Sequence, residues 1–176
     1  MDLSNIVVLD TETTGLDSES RICEIALIDG DGGTLLHTLI DPQMPIPQSA
    51  TDIHQISDDS ISLANAPVLD SVMPRILNLL EGKELLIYNS EFDIRMLKQS
   101  CSDMYHPKVS ELTQNTRCVM KEYAEFYGEL NHYGDYKWQK LTNALEQQDI
   151  DTKPFIAHSA LDDCLMTLAL ARSFME

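Results

Sequence analysis

Ile6-Val7-Val8-Leu9-Asp10-Thr11-Glu12-Thr13-Thr14-Gly15 begins with four consecutive apolar residues and ends in a polar turn. A short uninterrupted apolar run bounded by polar residues is how a strand buried on both faces at the centre of a sheet reads. Working outward, Gly15 and Asp17 mark a turn and residues 22–28 read as a second strand. Asp29-Gly30-Asp31-Gly32-Gly33 is a strong hairpin signal before a third strand over residues 34–40. The chain thus opens as a three-stranded antiparallel meander. From Ser49 the pattern turns helical, with Val68, Val72, Ile76 and Leu79 or Leu80 on one stripe and Gly82 as the stop. Residues 85–88 predict a fourth strand. Asn89-Ser90 then offers N-cap chemistry to a helix whose apolar face is Phe92, Met96 and Leu97. A fifth strand is expected over residues 111–116, followed by helices over 119–127, 140–147 and 160–175. This order predicts a mixed α/β layer fold. No repeat or linker interrupts it, and the proline-bearing loop over residues 41–47 joins elements within one domain spanning residues 1–176.

Composition narrows the function. Among 176 residues, 29 are acidic and 12 basic, a formal net charge of -17. Such a chain is a poor candidate for holding nucleic acid by counterion release onto a basic surface, or for binding an anionic membrane. The charge is uneven: from Arg95 to Lys140 there are 7 basic and 6 acidic residues. The amino terminus carries no basic n-region or cleavage site and no apolar run approaches a membrane span, so a cytoplasmic protein is expected. Cys23, Cys101, Cys118 and Cys164 are spaced for neither a zinc site nor a disulfide framework.

Acidic residues recur where elements end. Alternation puts Asp10 and Glu12 on one face of the first strand, and like charges that close are costly unless a cation lies between them. Asp93 falls in the first turn of the helix after the fourth strand, where ligands of α/β sheets collect. His158-Ser159-Ala160-Leu161-Asp162-Asp163 opens the last helix. Individually these acids are ordinary helix-dipole partners or solvated strand ends. Together, carboxylates without a thiolate cluster suit hard ions such as Mg²⁺ or Mn²⁺. Two such ions about 4 Å apart are the apparatus of phosphodiester hydrolysis, and a histidine supplies a base that works near neutral pH.

The segment VVLDTETTGLD resembles the first motif of the DnaQ-like (DEDDh) exonuclease superfamily, LIYNSEFDIRML resembles the second and AHSALDDC the third, in the family's order. The resemblance implies a ribonuclease-H-like fold with a mixed five-stranded sheet flanked by helices. It further implies a metal-dependent 3′-to-5′ exonuclease that releases nucleoside monophosphates from a nucleic-acid end. A single-stranded 3′ end is the expected partner, with DNA favoured over RNA. Asp10, Glu12, Asp93 and Asp163 look like the ligands of two Mg²⁺ or Mn²⁺ ions, and His158 like the general base. Asp163 is preferred to Asp162 because the family's histidine precedes its aspartate by five positions. Thr13, Thr14, Gly15, His54, Asn89 and Phe92 look like substrate-binding positions. Each also has a purely structural role to offer: turn formation, helix-end hydrogen bonding, capping or core packing.

Gln55 stands where the family often has glycine, Glu91 adds an acid before Asp93, and Asn115-Thr116 replaces a usual aspartate-threonine pair. Tyr133, Tyr136 and Trp138 are expected mainly in the core, with a stacking rim beside Lys137 and Lys140 as the alternative. Two other functions compete. A haloacid-dehalogenase-type phosphatase also ends a buried strand in an acidic motif, and a nuclease-fold subunit could dock on a polymerase or adaptation complex.

Overall fold

A computed structural model describes residues 3–175. The apolar run becomes β1 (Ile6–Thr13), the central strand of a five-stranded sheet in the order β3-β2-β1-β4-β5. Its neighbours are β2 (Ile22–Asp29), antiparallel, and β4 (Glu84–Ile87), parallel. The edges are β3 (Thr34–Leu39), antiparallel to β2, and β5 (Thr116–Cys118), parallel to β4. The meander is therefore as expected, and Gly32 supplies the positive φ of 94° that its turn requires.

Helices cover both faces, which is why the first half of β1, Ile6 to Leu9, is apolar throughout. Val7 and Leu9 join one core with Met73 and Ile76 of α3 (Leu69–Leu80), Met96 and Leu97 of α4 (Ser90–Ser100) and Val109 of α5 (His106–Leu112). Ile6 and Val8 join the other. There they meet Tyr123 of α6 (Val119–Tyr127), Leu145 of α7 (Leu141–Gln147), and Cys164 and Leu168 of α8 (Ala160–Phe174). All four residues of the run are at most 1% exposed, and burying each fully contributes roughly 1.5–3 kcal/mol. Two short helices, α1 (Gln48–His54) and α2 (Asp58–Leu63), close a smaller cluster around Cys23, Ile46 and Ile56.

Three sequence expectations need correction. Most of residues 111–116 is not strand: α5 runs to Leu112, with Val109 and the half-buried Leu112 three apart on the face that meets the first core. The fifth strand starts only at Thr116, where Leu85, Leu86 and Ile87 pair with Thr116, Arg117 and Cys118. Asn89 occupies the N-cap position of α4, but its side chain makes no capping hydrogen bond. Tyr133, Tyr136 and Trp138 are exposed, because the core under α6, α7 and α8 is already filled by Tyr123, Ala144 and Leu145. All four cysteines are free thiols. Among the described residues no helix is long and apolar enough to cross a membrane.

Candidate active site

Strand β1 is gripped from both sides at its carboxyl end. Asp10 and Glu12 continue the face of Ile6 and Val8, toward α8, while Thr11 continues the opposite face, toward α4. On the α4 side, the buried Thr11 hydroxyl donates to Asp93 Oδ1 at 2.7 Å, which ties the first turn of α4 to the strand. On the α8 side, ligand atoms of Glu12, His158 and Asp163 lie within 4.8 Å of one another. His158 is exposed and adopts the left-handed conformation, φ 65°, just before α8. Asp162 is turned elsewhere: its Oδ2 accepts the Ile156 N–H at 3.0 Å.

The electrostatics of the cluster are those of crowded acids. Burial, then repulsion from Asp93 and Asp163, holds the Asp10 carboxyl well above its usual range. Burial, then Asp163, pushes Glu12 up to about 8. Burial raises Asp93 to about 7 against the opposing hydrogen bond from Thr11, and raises Asp163 to about 6. Asp163 Oδ1 is buried with no hydrogen-bond donor. A buried carboxylate oxygen without a donor, among three further carboxylates, is a demand for positive charge. The cluster offers carboxylate oxygens and the His158 imidazole, so the residues fit hard divalent cations.

Glu24 is a fifth acid, one that motif reading passed over. It is buried, and it lies directly opposite Glu12 in the β1–β2 register. Its Oε2 accepts the buried Ala160 N–H at the start of α8 at 2.9 Å, and its Oε1 sits 2.8 Å from His37 Nε2. It thereby fixes the helix that carries Asp163 while adding to the repulsion on Asp10, Glu12 and Asp163. A lone glutamate inside the otherwise apolar Ile22-Cys23-Glu24-Ile25-Ala26-Leu27-Ile28 was the available signal. Thr11 gave none, because threonine is ordinary in a strand.

The expected substrate-binding residues divide. Thr13 and Thr14 are buried, their hydroxyls spent on Gly15 O and Met44 Sδ. A Cβ on Gly15 would lie 2.8 Å from Ser20 Oγ, so the protein's own packing calls for glycine there. His54 is buried: Nδ1 accepts the Ile56 N–H at 3.0 Å, which leaves Nε2 to donate to Thr13 O at 3.2 Å. Both ring nitrogens are thereby committed to the protein's own backbone. Gln55 takes φ 61° at the end of α1, which explains a glycine preference at this position. Phe92 is half-buried against the first core, beneath the Arg95 guanidinium. Asn89, half-buried with an uncommitted cap, stays close to Asp93 through the Asp93 N–H···O=C Asn89 bond of 3.3 Å.

Residues 7–171 match the RNase_T family, described as Exonuclease. The chain belongs to this exonuclease family. An uncharacterized exonuclease CP81 of Escherichia phage 186 is 36% identical over 168 residues, covering 93% of this chain and 84% of the phage protein. A DNA polymerase III subunit epsilon of Buchnera aphidicola is 34% identical over 118 residues, 61% of this chain but 49% of the subunit. Among solved structures, exonuclease X in complex with 5′ overhanging duplex DNA superposes with TM-score 0.66 at 25% identity, covering 94% of this chain and 87% of that one. E. coli exonuclease I with a dT13 oligonucleotide has TM-score 0.73 at 16% identity, covering 95% and 40%, and shares the fold. The mixed five-stranded sheet flanked by helices is thus that of DnaQ-like exonucleases, a divalent-metal-dependent family. The phosphatase alternative falls with this match.

Proposed function

We propose that this domain removes nucleoside 5′-monophosphates from the 3′ end of single-stranded DNA, with Asp10, Glu12, Asp93 and Asp163 holding two Mg²⁺ or Mn²⁺ ions and His158 as general base. The observation that carries this is the convergence of buried and half-buried acids from β1, α4 and α8 on one strand end, with Asp163 Oδ1 lacking any donor. Bound there, the ions supply Lewis-acid stabilisation of charge at the phosphoryl group. His158, exposed beside Glu12 and Asp163, takes a proton from the attacking water. The water oxygen bonds to phosphorus, the P–O3′ bond breaks with its electron pair on O3′, and that oxygen takes a proton from solvent to become the new 3′ hydroxyl of the shortened strand. Thr11 and Glu24 orient Asp93 and α8. His54 sets the Thr13 carbonyl, and Asn89, Phe92 and the Thr13–Gly15 turn frame the terminal nucleotide. DNA is preferred on the strength of relatives named for DNA replication and neighbours solved with DNA. Similarity to epsilon subunits also favours a polymerase as protein partner.

End-labelled single- and double-stranded DNA and RNA, incubated with metal or chelator and with wild type or Asp10→Ala, provide the test. Stepwise release of mononucleotides from single-stranded DNA, abolished by chelator and by the substitution, is expected. Cleavage that persists in either condition would overturn the assignment.

A further inference from the structure

Past Gly128, which ends α6 at φ 76°, the chain folds back on itself as a short arm before α7. A bridge pairs Leu130 with Tyr136, the Lys137 N–H donates to Glu129 O at 2.8 Å, and Asn131 Oδ1 caps the turn by accepting the Tyr133 and Asp135 N–H groups. The arm has a defined shape, yet it buries little of its own apolar surface. Leu130 is 57% exposed, Tyr133 79%, Tyr136 47% and Trp138 59%. A cluster of large apolar side chains held open in this way marks an interaction surface.

Two connections tie the arm to the candidate active site. At its base, the buried Gln139 carbonyl accepts the Tyr88 hydroxyl at 2.7 Å, and Tyr88 immediately precedes Asn89 and the turn bearing Asp93. At its side, Lys121 Nζ lies 5.9 Å from the Trp138 ring centroid and 2.5 Å from Glu91 Oε1, in the same first turn of α4. A cavity of ≈ 360 Å³ separates the arm from α6, lined in part by Lys121, Tyr136 and Trp138. We propose that the arm is a stacking platform for the bases just upstream of the 3′-terminal nucleotide, an inference that rests on the exonuclease reading above.

Charge favours this occupant over a phosphate-gripping rail. Lys121 and Lys137 are already paired with Glu91 and Glu129, and the whole chain carries -17. An acidic nuclease gains little from backbone electrostatics, whereas base–aromatic stacking works with every base and needs no net positive charge. The platform therefore selects unpaired strands, whose bases are free to leave one another, without selecting sequence.

Trp138 is the only tryptophan, so its emission reports occupancy of the arm whether or not the strand is cut. Quenching by an oligonucleotide of about 8 deoxynucleotides, in Ca²⁺, is expected to exceed that by a blunt duplex of the same length. In Mg²⁺, Tyr136→Ala/Trp138→Ala should raise KM for that single strand by about tenfold or more while kcat holds. Trp138→Phe should retain most of the wild-type KM. Hydrolysis of the p-nitrophenyl ester of thymidine 5′-monophosphate, which reaches only the catalytic centre, should be unchanged by the double substitution. Equal quenching by the duplex, no quenching at all, an unchanged KM, or equal losses on oligonucleotide and ester would each overturn the platform. So would a dimer that the double variant converts to monomer in light scattering, because the surface would then belong to a second copy. Failure of the wild type to cut any oligonucleotide, with quenching intact, would instead strike the exonuclease reading.

Discussion

The strand end at Asp10 and the arm around Trp138 depart from ordinary burial in opposite directions. One gathers carboxylates where they are poorly hydrated, and the other displays aromatic rings to solvent. Soluble domains normally keep charge out and large apolar groups in, so each departure costs stability that the rest of the fold must supply. The carboxylates are held by devices that leave most of their charge unrelieved: the Thr11 hydroxyl, which offsets only part of the effect of burial on Asp93, and Glu24 on the start of α8. The arm is held by backbone pairing and by Gln139 beneath it. The contrast teaches that a site built to receive charge must be strained before its ligand arrives. The arm proposed to receive bases needs only a defined shape.

The sharpest way to break the contrast is to remove charge from the strand end. Asp163→Asn should lower hydrolysis by at least about 10³-fold if Asp163 holds a catalytic ion as proposed. The same protein, freed of metal at pH 8, should melt higher than wild type, with a gain on the order of 1 kcal/mol from relieved repulsion. A lower melting temperature in calorimetry would show that the cluster is not under electrostatic stress.

Next is pH. The carboxyls of Glu12, Asp93 and Asp163 are raised to about 8, 7 and 6, so between the ordinary carboxylate range and these values the folded state binds more protons than the unfolded. Metal-free stability should therefore fall as pH rises from about 5 to 8, by about 1.4 kcal/mol per pH unit for each extra proton bound. Divalent metal should flatten the slope. A metal-free stability flat across this window would contradict the shifts.

Smaller still is Glu24→Ala, which leaves the buried Ala160 N–H without an acceptor. Stability should drop by about 1–2 kcal/mol in denaturant titration, and kcat should drop as α8 loses its anchor. Unchanged values for both would remove Glu24 from the support of the site.

Much of this was legible because it is local. The run Ile6-Val7-Val8-Leu9, the glycine-rich hairpin and the helical stretch over residues 119–127 carry their structure in adjacent residues, and β1, the meander and α6 appear where expected. The fifth strand was misplaced because Thr116-Arg117-Cys118 has no apolar alternation; it is a strand only through its pairing with β4. Glu24 shows the same limit at the site, since its partners Ala160 and His37 lie 136 and 13 residues away.

The amino-acid sequence by itself determined the central strand and the acids at its end, because spacing along the chain dictates which groups share a strand face or a helical turn; the resemblance of its three motifs to an exonuclease family added the expected role of those acids. Tertiary structure alone decided that Thr11 and Glu24 brace the acids, that His54 is spent on the Thr13 carbonyl, and that the aromatics near Trp138 stay outside. Those outcomes depend on which volumes other elements have already filled and on which donors arrive from distant segments, and no local pattern encodes either.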